Sequence, residues 1–299
     1  MFTGTLRAFD EVVRAGSIRK ASAVLGVAPS SVSRNVALLE REMGTRLLDR
    51  RAAGIELTHA GRLVADYGRS VLLEYDALRT DLDDMRGTQR KHLRLAMVES
   101  VVLYGPMKAV SRFSERFASV SFNIRLMTAP SVIAAVQEGL CDIGVGYCAE
   151  PRHELAILAS VSEPVVLALR PDHPLARAKQ VELKDIAGLR LALPDPDFGV
   201  RRMFDRACAE ARVPIVPVLS SNVFETLRDF ARYGSGAAVL PKRAVARDQL
   251  NGDLVAIPLH APVFRKATID VVVLRKRRLP RILKSFADAL IDQIRASPV

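Results

Sequence analysis

Between Ser30 and Asn35 the chain reads S-S-V-S-R-N. Three hydroxyls, a guanidinium and an amide fall together, and no histidine or cysteine nearby in the sequence activates a serine as a nucleophile. The chemistry on offer is reversible hydrogen bonding. Hydroxyls and amides suit phosphate oxygens and base edges, and an arginine grips guanine through two parallel bonds. Short side chains also let a helix lie deep in a major groove about 12 Å wide. Ser30, Ser31, Ser33, Arg34 and Asn35 are therefore the candidate contact residues, with Ser17, Arg19 and Pro29 just before them. An arginine-rich turn further on offers Arg46, Arg50 and Arg51 to flanking backbone or minor groove.

Covalent and metal chemistry have little to work with. His59, His92, His153, His173 and His260 are scattered. There is no HExxH, no phosphate-binding glycine loop and no GxSxG. Cys148 stands near His153, but a nucleophile needs a placed base and an orienting third group. No catalytic residue, metal or cofactor is expected. Cys141, Cys148 and Cys208 form no disulfide framework. Cys208 lies in the basic stretch "RRMFDRACAEAR", which would lower its pKa and leaves thiol redox sensing as a variant reading. Cys141 and Cys148, seven residues apart, span roughly 23 Å if extended, too far to pair directly.

The elements that must hold the Ser30–Asn35 cluster are short helices. Leu6, Phe9, Val12 and Val13 recur at helical spacing, so a first helix runs from about Thr3 to Arg14 and Gly16 stops it. Ser17 suits the N-cap of a second, ending at Gly26. Pro29 suits the entry of a third, to about Met43, with Val32, Val36 and Leu39 as its apolar face and Leu38 beside it. Two short helices and a tight turn need the first helix to cover their apolar faces. "GTRLLDRRAAGIELTHAG" then reads as a small two-stranded wing. Thr58 caps a long fourth helix reaching Arg86, on which Val71, Tyr75, Leu78, Leu82 and Met85 form a heptad seam predicting pairing with another long helix.

After a polar linker, Arg86 to His92, the composition changes. Strand and helix patterns alternate through "LRLAMV", "FNIRLM", "DIGVGY", "VVLAL", "LRLALP", "VPVLS", "GAAVLP" and "ATIDVVVL", with helices from about Ser131, Val200, Asn222 and Pro280. That alternation predicts two parallel, doubly wound α/β layers. In such layers ligands bind at the carboxyl ends of strands, near helix N-termini. Those junctions hold Glu99, Ser100, Thr128, Ala129, Ser131, Phe198, Gly199 and Asn222. Thr128, Ser131 and Asn222 also suit plain helix capping. Glu99, a carboxylate at the cleft mouth, would repel an anionic ligand or recruit a cationic or hydroxylated one.

The chain has 299 residues and a net charge of +11. From Arg14 to Arg62 there are nine basic and four acidic residues, but most of the excess charge lies after residue 88. The local pattern, not the total, supports a polyanionic partner. No secretory signal and no apolar run of about eighteen residues appears. The expectation is a cytoplasmic protein without a membrane partner.

The stretch "LRAFDEVVRAGSIRKASAVLGVAPSSVSRNVALLEREMGTRLLDRRAAGIELTHAG" resembles the LysR-type transcriptional regulators, with their "GS" entry, "SxSRxxxxLE" recognition helix, "LGxRLxxR"-like turn and "LTxAG" start of the linker helix. Ser22 stands where that family usually has alanine, and Pro29 where many members have a base-reading glutamine. "GLCDIGVG", "DHPLA" and "GSGAAVLP" also stand where the family has comparable motifs. The resemblance implies an α/β fold class with three parts: a helix-rich winged helix-turn-helix over 1–58, a dimerisation helix over 59–88, and an effector domain over 89–299. That last domain would be like a periplasmic binding protein, with subdomain I at 90–164 and 266–299 and subdomain II at 165–265. It implies a double-stranded DNA operator, a small-molecule effector such as a small organic acid, a homodimer assembling to a homotetramer, and RNA polymerase as a further partner. A transport solute-binding protein would explain the back two-thirds, but needs a secretory signal where this chain has helices.

Overall fold

Apolar residues at helical spacing build the first part of the chain. The computed structural model describes residues 2–51, 54–86, 91–102, 105–147, 153–275 and 278–296. The chain forms two units, Met1–Thr88 with Lys276–Pro280, and Gln89–Arg275 with Arg281–Val299. The first contains α1 (Phe2–Ala15), α2 (Ile18–Leu25), α3 (Pro29–Met43), β1 (Leu48–Arg51), β2 (Gly54–Leu57) and α4 (His59–Arg86). Leu6, Phe9 and Val12 meet Ala21, Val32, Val36 and Leu39 in one core, closed by Leu47, Leu48, Ala65 and Leu72. Gly26 ends α2 in the left-handed region at φ 66°, which a residue without a Cβ adopts at little cost. Pro29 opens α3, where its missing N–H loses no helical bond. Ser17 occupies the N-cap position of α2, but its side chain makes no capping bond. Ser22 is buried, and its hydroxyl donates to the Arg19 carbonyl at 2.8 Å.

Several motif residues serve to join the wing to its neighbours. The Glu40 carboxylate accepts the backbone N–H of Leu47 at 2.8 Å and of Leu48 at 3.1 Å. It thereby ties the end of α3 to the first wing strand. Thr58 Oγ1 donates to the Arg46 carbonyl at 2.9 Å and accepts the Gly61 N–H at 2.8 Å, capping α4. The wing strands are antiparallel, with Leu48 opposite Leu57 and Arg51 opposite Gly54.

The second unit contains two five-stranded sheets. The first is built from β3 (Lys91–Met97), β4 (Val120–Leu126), β5 (Ile143–Gly146), β6 (Leu155–Ser162) and β12 (Thr268–Leu274), in the order β4-β3-β5-β12-β6. The helices with it are α5 (Glu99–Val102), α6 (Pro106–Arg116), α7 (Ala129–Gln137) and α12 (Arg281–Ala296). The second sheet has β7 (Val165–Leu169), β8 (Leu191–Pro194), β9 (Leu219–Ser221), β10 (Ala237–Pro241) and β11 (Val255–Pro258), in the order β11-β7-β10-β8-β9. It carries α8 (Leu183–Ile186), α9 (Gly199–Ala211), α10 (Phe224–Arg232) and α11 (Lys242–Asn251).

The expectation of wholly parallel layers is corrected here. β3, β4 and β5 run parallel, but β12 is antiparallel to both β5 and β6. In the second sheet β7 is antiparallel to β10 and β11. The chain passes from β6 in one sheet to β7 in the other, and returns from β11 to β12. A strand that enters a sheet by such a crossing is not bound to the direction set by a helical crossover. Other motif residues shape these sheets. Asp142 accepts the Arg94 backbone N–H at 2.8 Å and its guanidinium at 2.9 Å, bracing β3 beside β5. His173 Nδ1 accepts the Leu175 N–H at 3.2 Å in the turn Pro174–Arg177.

Candidate nucleic-acid interface and ligand cleft

The face of α3 opposite Val32, Val36 and Leu39 carries the predicted contact residues. Pro29, Ser30, Ser31 and Arg34 are exposed, and Ser33 and Asn35 are half-buried. Among the described residues, no side-chain hydrogen bond or ion pair engages this set. Arg19 is exposed on α2, and Ser17 is half-buried at its start. Arg50 and Arg51 belong to β1, and their side chains lie outside the described residues.

On α4, Tyr75, Leu78 and Leu82 are 40%, 48% and 47% exposed, high for large apolar side chains. Val71 instead leans partly on the head core, and the Met85 side chain lies outside the described residues. Leu63 and Tyr67 extend the exposed stripe toward the helix start, at 61% and 68%. Sequence reasoning missed these two, although Leu63, Tyr67 and Val71 continue the same helical face at a spacing of four.

Five of the predicted ligand residues meet in one place. Ser100, Thr128 and Ala129 from the first sheet's side, and Phe198 and Gly199 from the second, line a shared cleft with Val98, Met127, Tyr147, Val200 and Phe224. The rings of Phe198 and Phe224 meet edge to face at 5.3 Å. Its free volume is about 10 Å³, near the least that holds one water. Burial pushes the Tyr147 phenol well above its ordinary value; Glu163 adds to the rise, while Ser100 and Arg243 oppose it. Neither the Tyr147 nor the Ser100 hydroxyl has a well-formed hydrogen bond. The residues missed here, Tyr147 and Phe224 above all, look like ordinary core aromatics in sequence.

Glu99, Ser131 and Asn222 do not line this cleft. Burial raises the Glu99 pKa, opposed by the Phe224 backbone N–H and the Arg228 guanidinium. Its carboxylate therefore looks toward the start of α10. Thr128 stands at the N-cap of α7 without capping it; its hydroxyl pairs with that of Ser131 at 3.0 Å. Asn222 does not open a helix: α10 begins at Phe224, and the Ser221 hydroxyl accepts the Val223 N–H at 3.1 Å. A short side chain one residue earlier has taken the turn-forming role.

A larger polar cavity of about 450 Å³ is lined by Glu225, Arg228, Arg232 and Asp248 among others. Its charges largely satisfy one another, with Arg232 2.6 Å from Asp248 and Arg228 paired to Glu225. The expectation of a lowered Cys208 thiol is corrected: burial raises it, Asp205 adds to the rise and only Arg201 opposes it. Cys148 lies outside the described residues. Among the described residues no helix is long and apolar enough to cross a membrane.

Comparison with known proteins agrees with this geometry. Residues 4–62 match the bacterial regulatory helix-turn-helix protein model of the lysR family, and residues 86–295 match the LysR substrate binding domain. The RuBisCO operon transcriptional regulator of Allochromatium vinosum is 26% identical, covering 91% of this chain and 86% of its own. The DNA-binding transcriptional dual regulator OxyR of Escherichia coli is 26% identical, covering 93% and 90%. A full-length OxyR variant from Pseudomonas aeruginosa shares the fold, with a TM-score of 0.74 at 20% identity over 99% of this chain and 95% of its own. Full-length BenM does so at 0.57 and 21%, over 99% and 96%. With a packed helical head, a second unit of two sheets and family matches over both, the chain belongs to the LysR family of transcriptional regulators, built from a helix-turn-helix DNA-binding part and an effector-binding part.

Proposed function

We propose that the chain acts in the cytoplasm as a dimer, joined along the exposed stripe of α4, and that two dimers assemble into a tetramer on a pseudo-palindromic operator. α3 enters the major groove, with Ser30, Ser31, Ser33, Arg34 and Asn35 toward bases and phosphates. Arg50 and Arg51 of the wing, with Ser17, Arg19 and Pro29, contact the flanking backbone. The observation that carries this reading is the polar, unengaged face of α3 above a fully packed core. Arg34→Ala should weaken operator binding by about fivefold or more, since one bidentate base contact is worth roughly 1–3 kcal/mol. Fluorescence anisotropy on the operator checks it, and unchanged affinity removes Arg34 from the contact set.

The effector is a small molecule, a small organic acid in the simplest case, held by Ser100, Thr128, Ala129, Phe198 and Gly199. The cleft is nearly filled as it stands, so binding requires the two sheets to part. An effector then acts by preferring the opened arrangement. Thr128→Val keeps the side-chain shape and removes the hydroxyl. It should leave operator affinity intact and weaken the effector response severalfold, in line with roughly 0.5–1.5 kcal/mol for one hydrogen bond. Titrating small carboxylates against the operator complex of both proteins checks this. An equal response would place the effector elsewhere. Contact with RNA polymerase completes the proposal.

A further inference from the structure

The turn between α2 and α3 is apolar and open to solvent. Val24 is 68% and Val27 45% exposed, and Ala28 and Pro29 are exposed with them. The head core takes Ile18, Ala21 and Leu25 of α2 but neither valine. The backbone of this turn is nevertheless pinned. The Gly26 and Val27 N–H groups both donate to the Ser22 carbonyl, the second at 3.1 Å. Ala28 stands at the N-cap of α3, and its carbonyl accepts the Ser31 N–H at 3.0 Å and the Val32 N–H at 3.3 Å. Pro29 fixes φ at the next position. Alanine has no rotamer to choose, and valine has one stiff torsion. The Val27 and Ala28 side chains are therefore held in place just ahead of Ser30 and Ser31, with their methyl groups still exposed.

We propose that Val27 and Ala28 read a thymine of the operator by packing on its 5-methyl group in the major groove. This rests on α3 being the groove helix, as proposed above. In a helix-turn-helix the first residues of the second helix meet the base edges, and the apolar turn runs straight into that contact face. Thymine is the one base that presents an apolar group in the major groove. An aliphatic side chain set against guanine N7 and O6, adenine N7 and N6, or cytosine N4 strips water from a polar group and returns no hydrogen bond. Serine, by contrast, donates or accepts and suits several bases. Ser30, Ser31 and Ser33 therefore carry little sequence information by themselves, and the aliphatic pair supplies a preference they lack. An exposed apolar patch also fits a protein partner. Continuity with the hydroxyls, guanidinium and amide of α3 favours DNA.

Uracil is thymine without that methyl group and pairs in the same way. Each thymine of the operator should be replaced singly by uracil, and the full-length protein titrated on every duplex by fluorescence anisotropy. One thymine in each half-site should cost about fourfold in affinity when replaced, as expected for burying one such group. In the double variant Val27→Ala, Ala28→Gly that cost should shrink markedly. Both side chains are exposed, so the substitutions leave the head core intact. Uracil tolerated at every position leaves the patch to a protein partner and overturns the proposal. A methyl group whose loss costs the double variant as much as the wild type is read by another residue, which overturns it as well. In both of those outcomes the native operator is still preferred to a scrambled duplex, and the regulator reading stands. Loss of that preference in the wild type on unmodified DNA is the separate result that removes the groove helix and this proposal together.

Discussion

Gly61→Ala should unfold the N-terminal unit at temperatures the wild type survives, and abolish operator binding with it. A Cβ at this position would lie 2.0 Å from the Leu47 carbonyl oxygen and 3.0 Å from Leu57 Cδ2. The nearer atom is backbone, so no rotamer change relieves the clash. Relief requires α4 to withdraw from the wing, and three bonds resist it. Thr58 N–H donates to the same Leu47 carbonyl at 3.1 Å, Thr58 Oγ1 to Arg46, and Gly61 N–H to Thr58. Each is worth roughly 0.5–1.5 kcal/mol. Withdrawal also loosens Ala65 and Leu72 from the core they share with Leu47 and Leu48. An overall loss of about 3 kcal/mol or more is expected, at or above the usual range for overpacking. Urea denaturation followed by far-ultraviolet circular dichroism checks it; an unchanged midpoint would contradict the close approach.

Gly199→Ala should wedge the ligand cleft. Here a Cβ would meet Tyr147 Cβ at 2.7 Å and Cγ at 2.9 Å. Gly199 begins α9 beside the second sheet, and Tyr147 follows β5 of the first, so the contact spans the cleft. Tyr147 is only 6% exposed and cannot swing aside. The two subdomains must separate, at a cost of roughly 1–3 kcal/mol to the closed arrangement. If effectors act by preferring the open arrangement, that cost converts to a gain of about fivefold or more in apparent effector affinity. It would appear as an operator response at lower effector concentration, together with a lower thermal midpoint. A variant matching the wild type in both would show that the cleft does not open in the response.

Legibility in the sequence followed the range of the interactions. The N-terminal helices, their glycine and proline punctuation and the Thr58 cap depend on neighbours a few residues away, and they stand where the pattern puts them. Glu40 and Gly61 were visible as motif residues, but their work lies in touching Leu47, a contact no local pattern announces. In the second unit the strands with apolar runs were readable. β6, "LAILASVS", was not: it is an edge strand whose residues alternate unevenly between buried and exposed. The helix α11 and the short strand β11 escaped for a similar reason, having weak apolar periodicity of their own. The buried ion pair of Glu163 with Arg243 was the least legible. The two are 80 residues apart, and each looks like a surface charge until the fold brings them together.

Fluorescence anisotropy of the purified protein on the intergenic DNA beside its own gene, against a scrambled duplex at several salt concentrations, tests the central claim most directly. A sequence-reading α3 predicts strong preference for the native duplex, with log affinity falling linearly in log salt. The same preference should shrink in Arg34→Ala by the factor lost with one base contact while the salt slope persists, because the phosphate contacts remain. Absence of binding to either duplex at low salt would contradict the account.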